Sequence, residues 1–295
     1  MTVLPFDERD GTLWYDGAFV PWREAKLHVL SHGLHYGGGV FEGERVYGGA
    51  VFKLTEHNER LHTSARELGF AIPFPVSELD DATRELVRRQ NITDGYVRPV
   101  AWRGSEQMSV SGAGARVHVA IATWEWPRVF SGPARDEGIS LGTSRWRRPA
   151  PDTAPVRAKA ASLYNICTLA REEAEAAGHD DALLLDHRGL LAEATGANLF
   201  LVIDGALHTP VADTFLNGIT RQTVIGLARD LDITVHERAL TPDALADADE
   251  VFLTGTAYEV QPVRAVDGHP YGVGKVTRSL AEAYARLVRH PDGRG

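Results

Sequence analysis

The stretch EWPRVFSGPARDEG, residues 125–138, constrains the fold of this 295-residue chain more than any other feature. Two prolines, two glycines and no apolar period break helix and strand alike. The sequence has a different rhythm on either side of it. That predicts a small N-terminal α/β domain over 1–125, a linker over 126–138 and a larger α+β domain over 139–295.

In the first part, TLWYDGAFVPW (12–22) and ERVYGGAVFKL (44–54) put Gly-containing turns between apolar runs, the hairpin pattern. From Thr55, the spacing of Leu61, Ala65 and Leu68 predicts a helix that stops at Gly69, and a second helix follows over about 76–90. YVRPVAW (96–102) and ARVHVAIATW (115–124) read as paired strands. Past the linker, the pattern predicts a strand over 139–145, a helix over about 162–177 and two or three hairpin-spaced strands within 181–210. A helix (219–231), a strand (232–238), a short helix (242–247), a strand (250–254) and a closing helix over about 276–290 follow.

Composition excludes several classes of function. With 43 % hydrophobic and 24 % charged residues the balance is that of a soluble globular protein, and no apolar run approaches membrane-spanning length. The net charge of −9, with no Lys/Arg-rich run, argues against nucleic acid or an anionic membrane as partner. The N-terminus lacks the character of a signal or transit segment, so a cytoplasmic location is expected. Cys167, the single cysteine, cannot form an internal disulfide or by itself a thiolate metal site. GVGKVT (272–277) fails as a phosphate loop because His269 and Val276 stand where Gly and a hydroxyl residue are needed. No GxGxxG, GxSxG or HExxH occurs, and no acid or cysteine cluster completes a metal shell around the histidines, so no metal is expected.

Of the positive charges only four are lysines: Lys26, Lys53, Lys159 and Lys275. Lys159 alone sits in a small, apolar context, VRAKAASLYNICTLA, at the entrance to a helix. Such an amine is either a nucleophile and base or a lysine that snorkels from a helix end. Three other segments bear on the choice. GITRQTVIGLARDL (218–231) opens a helix whose first N–H groups, at Ile219 and Thr220, suit an anion, and a simple helix start reads the same way. LTGTA (253–257) is a turn of small and hydroxyl residues after an apolar strand. In LLAEATGANLF (190–200), Glu193 stands in an apolar strand, where a carboxylate needs a buried partner such as a protonated pyridine.

Taken in order, Lys159, EATGANLF, GITR and LTGTAYEVQPV resemble the fold-type IV pyridoxal phosphate enzymes, specifically the branched-chain amino acid aminotransferases. SHGLHYGGGVFEGERVY (31–47), EHNERLHTSARELGF (56–70) and YVRPVAW extend the resemblance over nearly the whole chain. It implies a two-domain α+β fold like that of D-amino acid aminotransferase, with a barrel-like larger domain, and pyridoxal 5'-phosphate as cofactor. It also implies that Lys159 forms the internal aldimine and moves the proton, and that Glu193 keeps the pyridine nitrogen protonated. By the same resemblance, Arg60, Ile219, Thr220 and Thr256 would bind the phosphate, with Tyr164 and Asn198 beside the ring. For the substrate it implies Tyr96 and the amides of Thr256 and Ala257 on the α-carboxylate, Tyr36 and Phe41 around an apolar pocket, and Arg98 on the distal carboxylate of 2-oxoglutarate.

The expected reaction is a ping-pong transamination between a branched-chain or other hydrophobic L-amino acid and 2-oxoglutarate, by a homodimer or larger homo-oligomer. Two rivals stand beside it. One is the same fold acting on D-amino acids or (R)-amines, or as an aminodeoxychorismate lyase; the other is a scaffold that binds cofactor without turnover. The sequence departs from the family pattern at Ala160–Leu163, where many members have Gly-Gly-Asn, and at Tyr258, where a small residue is usual. Loop 104–114 is also unusual, and in the family it reaches the partner's active site. Tyr258 could narrow the substrate pocket or add a hydrogen bond.

Overall fold

The structure, a computed structural model, describes residues 4–126 and 129–289. Residues 127 and 128 of the expected linker, and His290 at the expected end of the last helix, lie outside the described residues. The chain divides into two units, Met1–Pro127 with Ala158–Ser162, and Arg128–Arg157 with Leu163–Gly295.

The first unit begins with the hairpin β1 (Thr12–Tyr15) and β2 (Ala18–Pro21). Asp16 and Gly17 both have positive φ, 48° and 92°, the combination a two-residue hairpin turn demands. A short helix, α1 (His32–Tyr36), precedes β3 (Gly39–Phe41), β4 (Glu44–Tyr47) and β5 (Ala50–Val51). Next come α2 (Leu54–Glu67), α3 (Val76–Arg89), β6 (Gly95–Arg103) and β7 (Val117–Glu125).

These strands form one seven-stranded antiparallel sheet in the order β2-β1-β7-β6-β4-β5, with β3 also on β6. β3 and β4 share one edge of β6, pairing Gly39 with Trp102 and Glu44 with Val97. Between them the Glu42 N–H donates to the Pro99 carbonyl at 2.8 Å, which keeps the edge continuous. The apolar stripes of α2 and α3, including Leu61, Ala65, Leu79 and Leu86, pack with Val46, Val97 and Ile121 in the core of this unit.

The second unit opens with a short helix, α4 (Pro133–Asp136), inside the stretch expected to be irregular; Pro133 suits the first helical turn. β8 (Ile139–Arg148), α5 (Tyr164–Ala176), β9 (Asp181–Asp186), β10 (Leu191–Ala194), β11 (Asn198–Ile203) and β12 (Ala206–Thr209) follow. The chain continues with α6 (Ile219–Asp230), β13 (Val235–Glu237), β14 (Glu250–Gly255), β15 (Glu259–Val266), β16 (His269–Pro270) and α7 (Lys275–Arg289). The stretch 181–210 thus holds four strands, because β10 is only four residues long and its apolar run merges in sequence with its neighbours.

β10-β9-β8-β15-β14-β11 form a ring closed by pairing of β10 with β11, a six-stranded barrel. β8 runs parallel to β9 and β15, and the other ring pairs are antiparallel. In β9 the two-residue alternation divides the side chains. Leu183 joins Ile139, Leu199, Leu253 and Val263 in the main core, while Ala182 and Leu184 pack against Cys167, Ala170 and Ala174 of α5. β15 is a strand that the sequence pattern did not disclose, since Gln261 and Pro262 interrupt its apolar run. Both residues are nonetheless buried, between β8 and β14.

Candidate active site

Lys159 belongs to the first unit through its backbone. Its N–H donates to the Ser64 hydroxyl at 3.0 Å, its carbonyl accepts the Phe41 N–H at 3.1 Å, and Ala160 bridges to Val40 of β3. The half-buried ammonium lies 4.8 Å from the centroid of the Phe41 ring, within cation–π range. Its position is therefore set by a pinned backbone and an aromatic face.

Arg60 precedes Ser64 by one turn of α2, so the two share a helix face. Its Nε and Nη2 donate to both oxygens of Glu42, at 2.7 and 2.8 Å, a bidentate pair with the carboxylate fully buried. His57, one turn earlier, contacts Glu42 Oε2 through Nδ1 at 2.7 Å. Burial pushes the Glu42 carboxyl up, but Arg60 and then His57 outweigh it and hold it far below the usual carboxylate range. Burial keeps His57 below its ordinary value despite Glu42, so the neutral ring donates from Nδ1. Neither Glu42 nor His57 was predicted. A signal existed for Glu42, an acid inside the apolar run GGGVFEG, and the reasoning applied to Glu193 would have found it.

Tyr96 and Arg98 lie on one face of β6. The Arg98 guanidinium carbon is 4.7 Å from the Phe41 ring centroid and 5.3 Å from that of Tyr96, and Nη2 reaches the Tyr96 hydroxyl at 3.5 Å. Its Nε is buried with no hydrogen-bond acceptor among the described residues. Phe41 thus carries the Lys159 and Arg98 cations on one ring. Tyr36 ends α1, is 42 % exposed and packs on His32.

The second unit carries the remaining predicted residues. Glu193 of β10 pairs directly with Asn198 of β11, and both are buried. Asn198 Nδ2 donates to Glu193 Oε2 at 3.2 Å and to the Leu216 carbonyl at 3.0 Å, while its Oδ1 accepts the Gly218 N–H at 3.1 Å. One side chain therefore links the carboxylate to the start of α6. Gly218 caps α6 without a capping side chain, and Ile219 and Thr220 form its buried first turn. Arg148, at the end of β8, places Nε 3.3 Å from Glu193 Oε1 and Nη1 3.9 Å from the Cys167 sulfur. This buried cation was not predicted either; nothing in SRWRRPAP distinguishes it from the neighbouring arginines. Tyr164 begins α5 and packs beside the cluster of Cys167 and Ala170.

Thr256 and Ala257 lie half-buried in the turn between β14 and β15. The phenol of Tyr258 donates to Asp181 Oδ2 at 2.7 Å and accepts from Arg171 at 3.1 Å. Burial and then the Asp181 charge push that phenol far above its ordinary value, so it remains a neutral donor.

Chemically, these groups fit pyridoxal 5'-phosphate. Lys159 offers an amine on a pinned backbone, and the buried Glu193 is an acceptor for a pyridinium N–H. In the second unit the α6 start, with no side-chain cap among the described residues, suits an anion such as a phosphate; in the first, the Arg60 guanidinium has the charge and geometry of a phosphate ligand. Among the described residues no His, Cys, Asp and Glu group could hold a metal ion.

Residues 39–266 match the amino-transferase class IV family. The chain is 43 % identical to the branched-chain-amino-acid aminotransferase of Pseudomonas aeruginosa over 95 % of this chain and 94 % of that one. It is 41 % identical to the Escherichia coli K12 enzyme of the same name over 93 % and 92 %. The crystal structure of the T.th. branched-chain amino acid aminotransferase with pyridoxamine 5'-phosphate superposes with a TM-score of 0.92, at 43 % identity and 96 % coverage of both chains. The class IV family match and the closed six-stranded barrel of the second unit define a pyridoxal phosphate-dependent aminotransferase of fold type IV. Within that class the chain belongs to the branched-chain-amino-acid aminotransferase family.

Proposed function

We propose that this enzyme exchanges the amino group between branched-chain L-amino acids and 2-oxoglutarate in a ping-pong cycle. The observation that carries the substrate assignment is Arg98: a cation whose buried Nε has no acceptor among the described residues, within cation–π range of both the Phe41 and Tyr96 rings. Aromatic faces suit an aliphatic chain, and the guanidinium suits a second carboxylate in the same place. One pocket can thereby serve both half-reactions.

When bound, the cofactor supplies the electron sink for the charge left on the amino acid's α-carbon. Lys159 removes and returns the proton at that carbon, and Glu193, steadied by Asn198 and Arg148, accepts the pyridine N–H. Arg60, Thr256 and the first turn of α6 would hold the phosphate, and Tyr164 and Asn198 would hold the pyridine ring. Tyr96 and the Thr256 and Ala257 amides hold the α-carboxylate, and Phe41 shapes the apolar pocket. The phenol of Tyr258 is committed to Asp181 and Arg171, so it does not favour the D-amino acid or (R)-amine rival.

The enzyme acts as a homodimer or larger homo-oligomer in the cytoplasm. Leu27, Val29, Leu34, Tyr36, Met108 and Val110 are exposed apolar residues that a second copy would cover. No described helix is long and apolar enough to cross a membrane. The decisive experiment compares wild type with Lys159→Ala on L-Leu, D-Ala and (R)-1-phenylethylamine, each with a 2-oxo acid acceptor. Wild type turns over L-Leu and the variant turns over nothing; full activity in the variant, or no L-Leu turnover in wild type, overturns the reading.

A further inference from the structure

The turn that bears Thr256 and Ala257 is held by a clasp of buried side chains that none of the roles above uses. Asp181, at the start of β9, is fully buried and gathers four groups. The Thr195 hydroxyl donates to Oδ1 at 2.6 Å and the Ala182 N–H to the same oxygen at 2.7 Å. The Tyr258 phenol donates to Oδ2 at 2.7 Å, and the Arg171 guanidinium stands 3.3 Å from that oxygen while also donating to the phenol. Arg171 is anchored in turn to Glu175 at 2.7 Å.

Thr195 and Tyr258 come from different turns. Thr195 belongs to the turn between Glu193 and Asn198, and Tyr258 closes the turn of Gly255, Thr256 and Ala257. The backbones of these turns touch: a Cβ on Gly255 would meet the Gly196 carbonyl oxygen at 3.0 Å, and one on Gly196 would rest on the Tyr258 ring at 3.5 Å. Phe130 also packs edge-on against that ring, with the ring centroids 5.4 Å apart. The first turn is flanked by Glu193 and Asn198 and the second carries Thr256 and Ala257, and Asp181 ties the two through one carboxylate.

We propose that Tyr258 is a positioning residue: by binding Asp181, it locks the Thr256–Ala257 turn to the Thr195–Ala197 turn and so sets how tightly the cofactor phosphate and the substrate α-carboxylate are held. The proposal rests on the functional reading above, which assigns those ligands to Thr256 and Ala257. It differs from a pocket-wall role for Tyr258 in a measurable way. The phosphate and the α-carboxylate are common to every substrate complex, whereas a wall acts on the side chain.

Tyr258→Phe removes only the hydroxyl, and Asp181 keeps Thr195, Ala182 and Arg171, so the variant folds. In the purified holoenzyme, KM for L-Val, L-Leu, L-Ile and 2-oxoglutarate rises by a common factor of about three to ten, and kcat changes by less than about twofold. The dissociation constant of pyridoxal phosphate from the apoenzyme, followed by absorbance or fluorescence, rises by a similar factor. Thr195→Val, measured alone and with Tyr258→Phe, gives a less than additive effect because both act through one carboxylate. Unchanged KM and cofactor affinity in Tyr258→Phe, or a shift in preference among the three amino acids, overturns the clasp. A wild type that binds no cofactor or turns over no L-Leu instead overturns the functional reading beneath it.

Discussion

The Ser64 hydroxyl accepts the backbone N–H of Lys159 at 3.0 Å, one helical turn beyond Arg60. A single face of α2 therefore sets where the amine's backbone sits and where the guanidinium starts, although 99 residues (159 − 60) separate them in sequence. Ser64 is fully buried, so its loss cannot be made good by water. Ser64→Ala is expected to cost about 1–2 kcal/mol of stability and to lower kcat with little effect on KM for L-Leu. Urea denaturation and steady-state kinetics check both, and an unchanged kcat would show that the amine needs no such anchor.

Glu42 holds Arg60 through both of its carboxylate oxygens. Replacing it by Gln leaves the guanidinium without its counter-charge in a mostly buried setting, and is expected to cost about 3 kcal/mol. The pH dependence has a definite sign. Because the folded-state carboxyl is held below its ordinary value, the stabilisation is fully present above the usual glutamate range and is lost as pH falls through the depressed folded value. Denaturation midpoints taken between pH 7 and pH 3 should fall more steeply for wild type than for Glu42→Gln.

Glu44, two residues along, behaves in the opposite way. Both its oxygens are buried with no hydrogen-bond partner among the described residues. Burial first, then the charges of Glu42 and Asp80, push its carboxyl well above the ordinary value. Its contribution is most favourable below the usual glutamate range and is lost as pH rises through the raised folded value. Glu44→Leu is therefore expected to stabilise the protein by about 1–3 kcal/mol at neutral or higher pH and by much less near pH 4. A variant less stable than wild type at every pH would contradict this.

The role proposed for Arg98 predicts unequal effects on the two half-reactions. Arg98→Met keeps the apolar packing against Phe41 but removes the charge. KM for 2-oxoglutarate is expected to rise about 30- to 100-fold, the worth of a hydrogen-bonded ion contact. KM for L-Leu should stay within about threefold, since an aliphatic chain makes no ionic contact. Single-turnover measurements of each half-reaction test this, and equal losses in both would place the distal carboxylate elsewhere.

What the sequence discloses here is mostly local or carried by family resemblance. The Asp16-Gly17 turn, the stripe of Leu61 and Ala65 on α2, and the long strands β6 and β7 could be read because their cause is a backbone preference or a simple period. Lys159, Glu193 and the start of α6 stood out because an amine in a small apolar run, an acid in a strand and a Gly-led helix are locally unusual.

Other features depended on residues far apart in the chain, and only the tertiary structure decided them. β15 holds a buried glutamine and proline because strands on both sides supply its partners. The barrel closes through one pairing of β10 with β11, which no periodicity announces. The segment of Lys159 joins the first unit because Ser64 and Phe41 bind its backbone, although its sequence neighbours belong to the second. Tyr258, ambiguous as a residue, became a clasp once Asp181 and Thr195 stood beside it. The sequence by itself determined which groups the chain possesses and which local structures it favours. Partnership among buried polar groups was left to the fold, because a hydrogen bond depends on a few tenths of an ångström between atoms whose separation in sequence carries no such information.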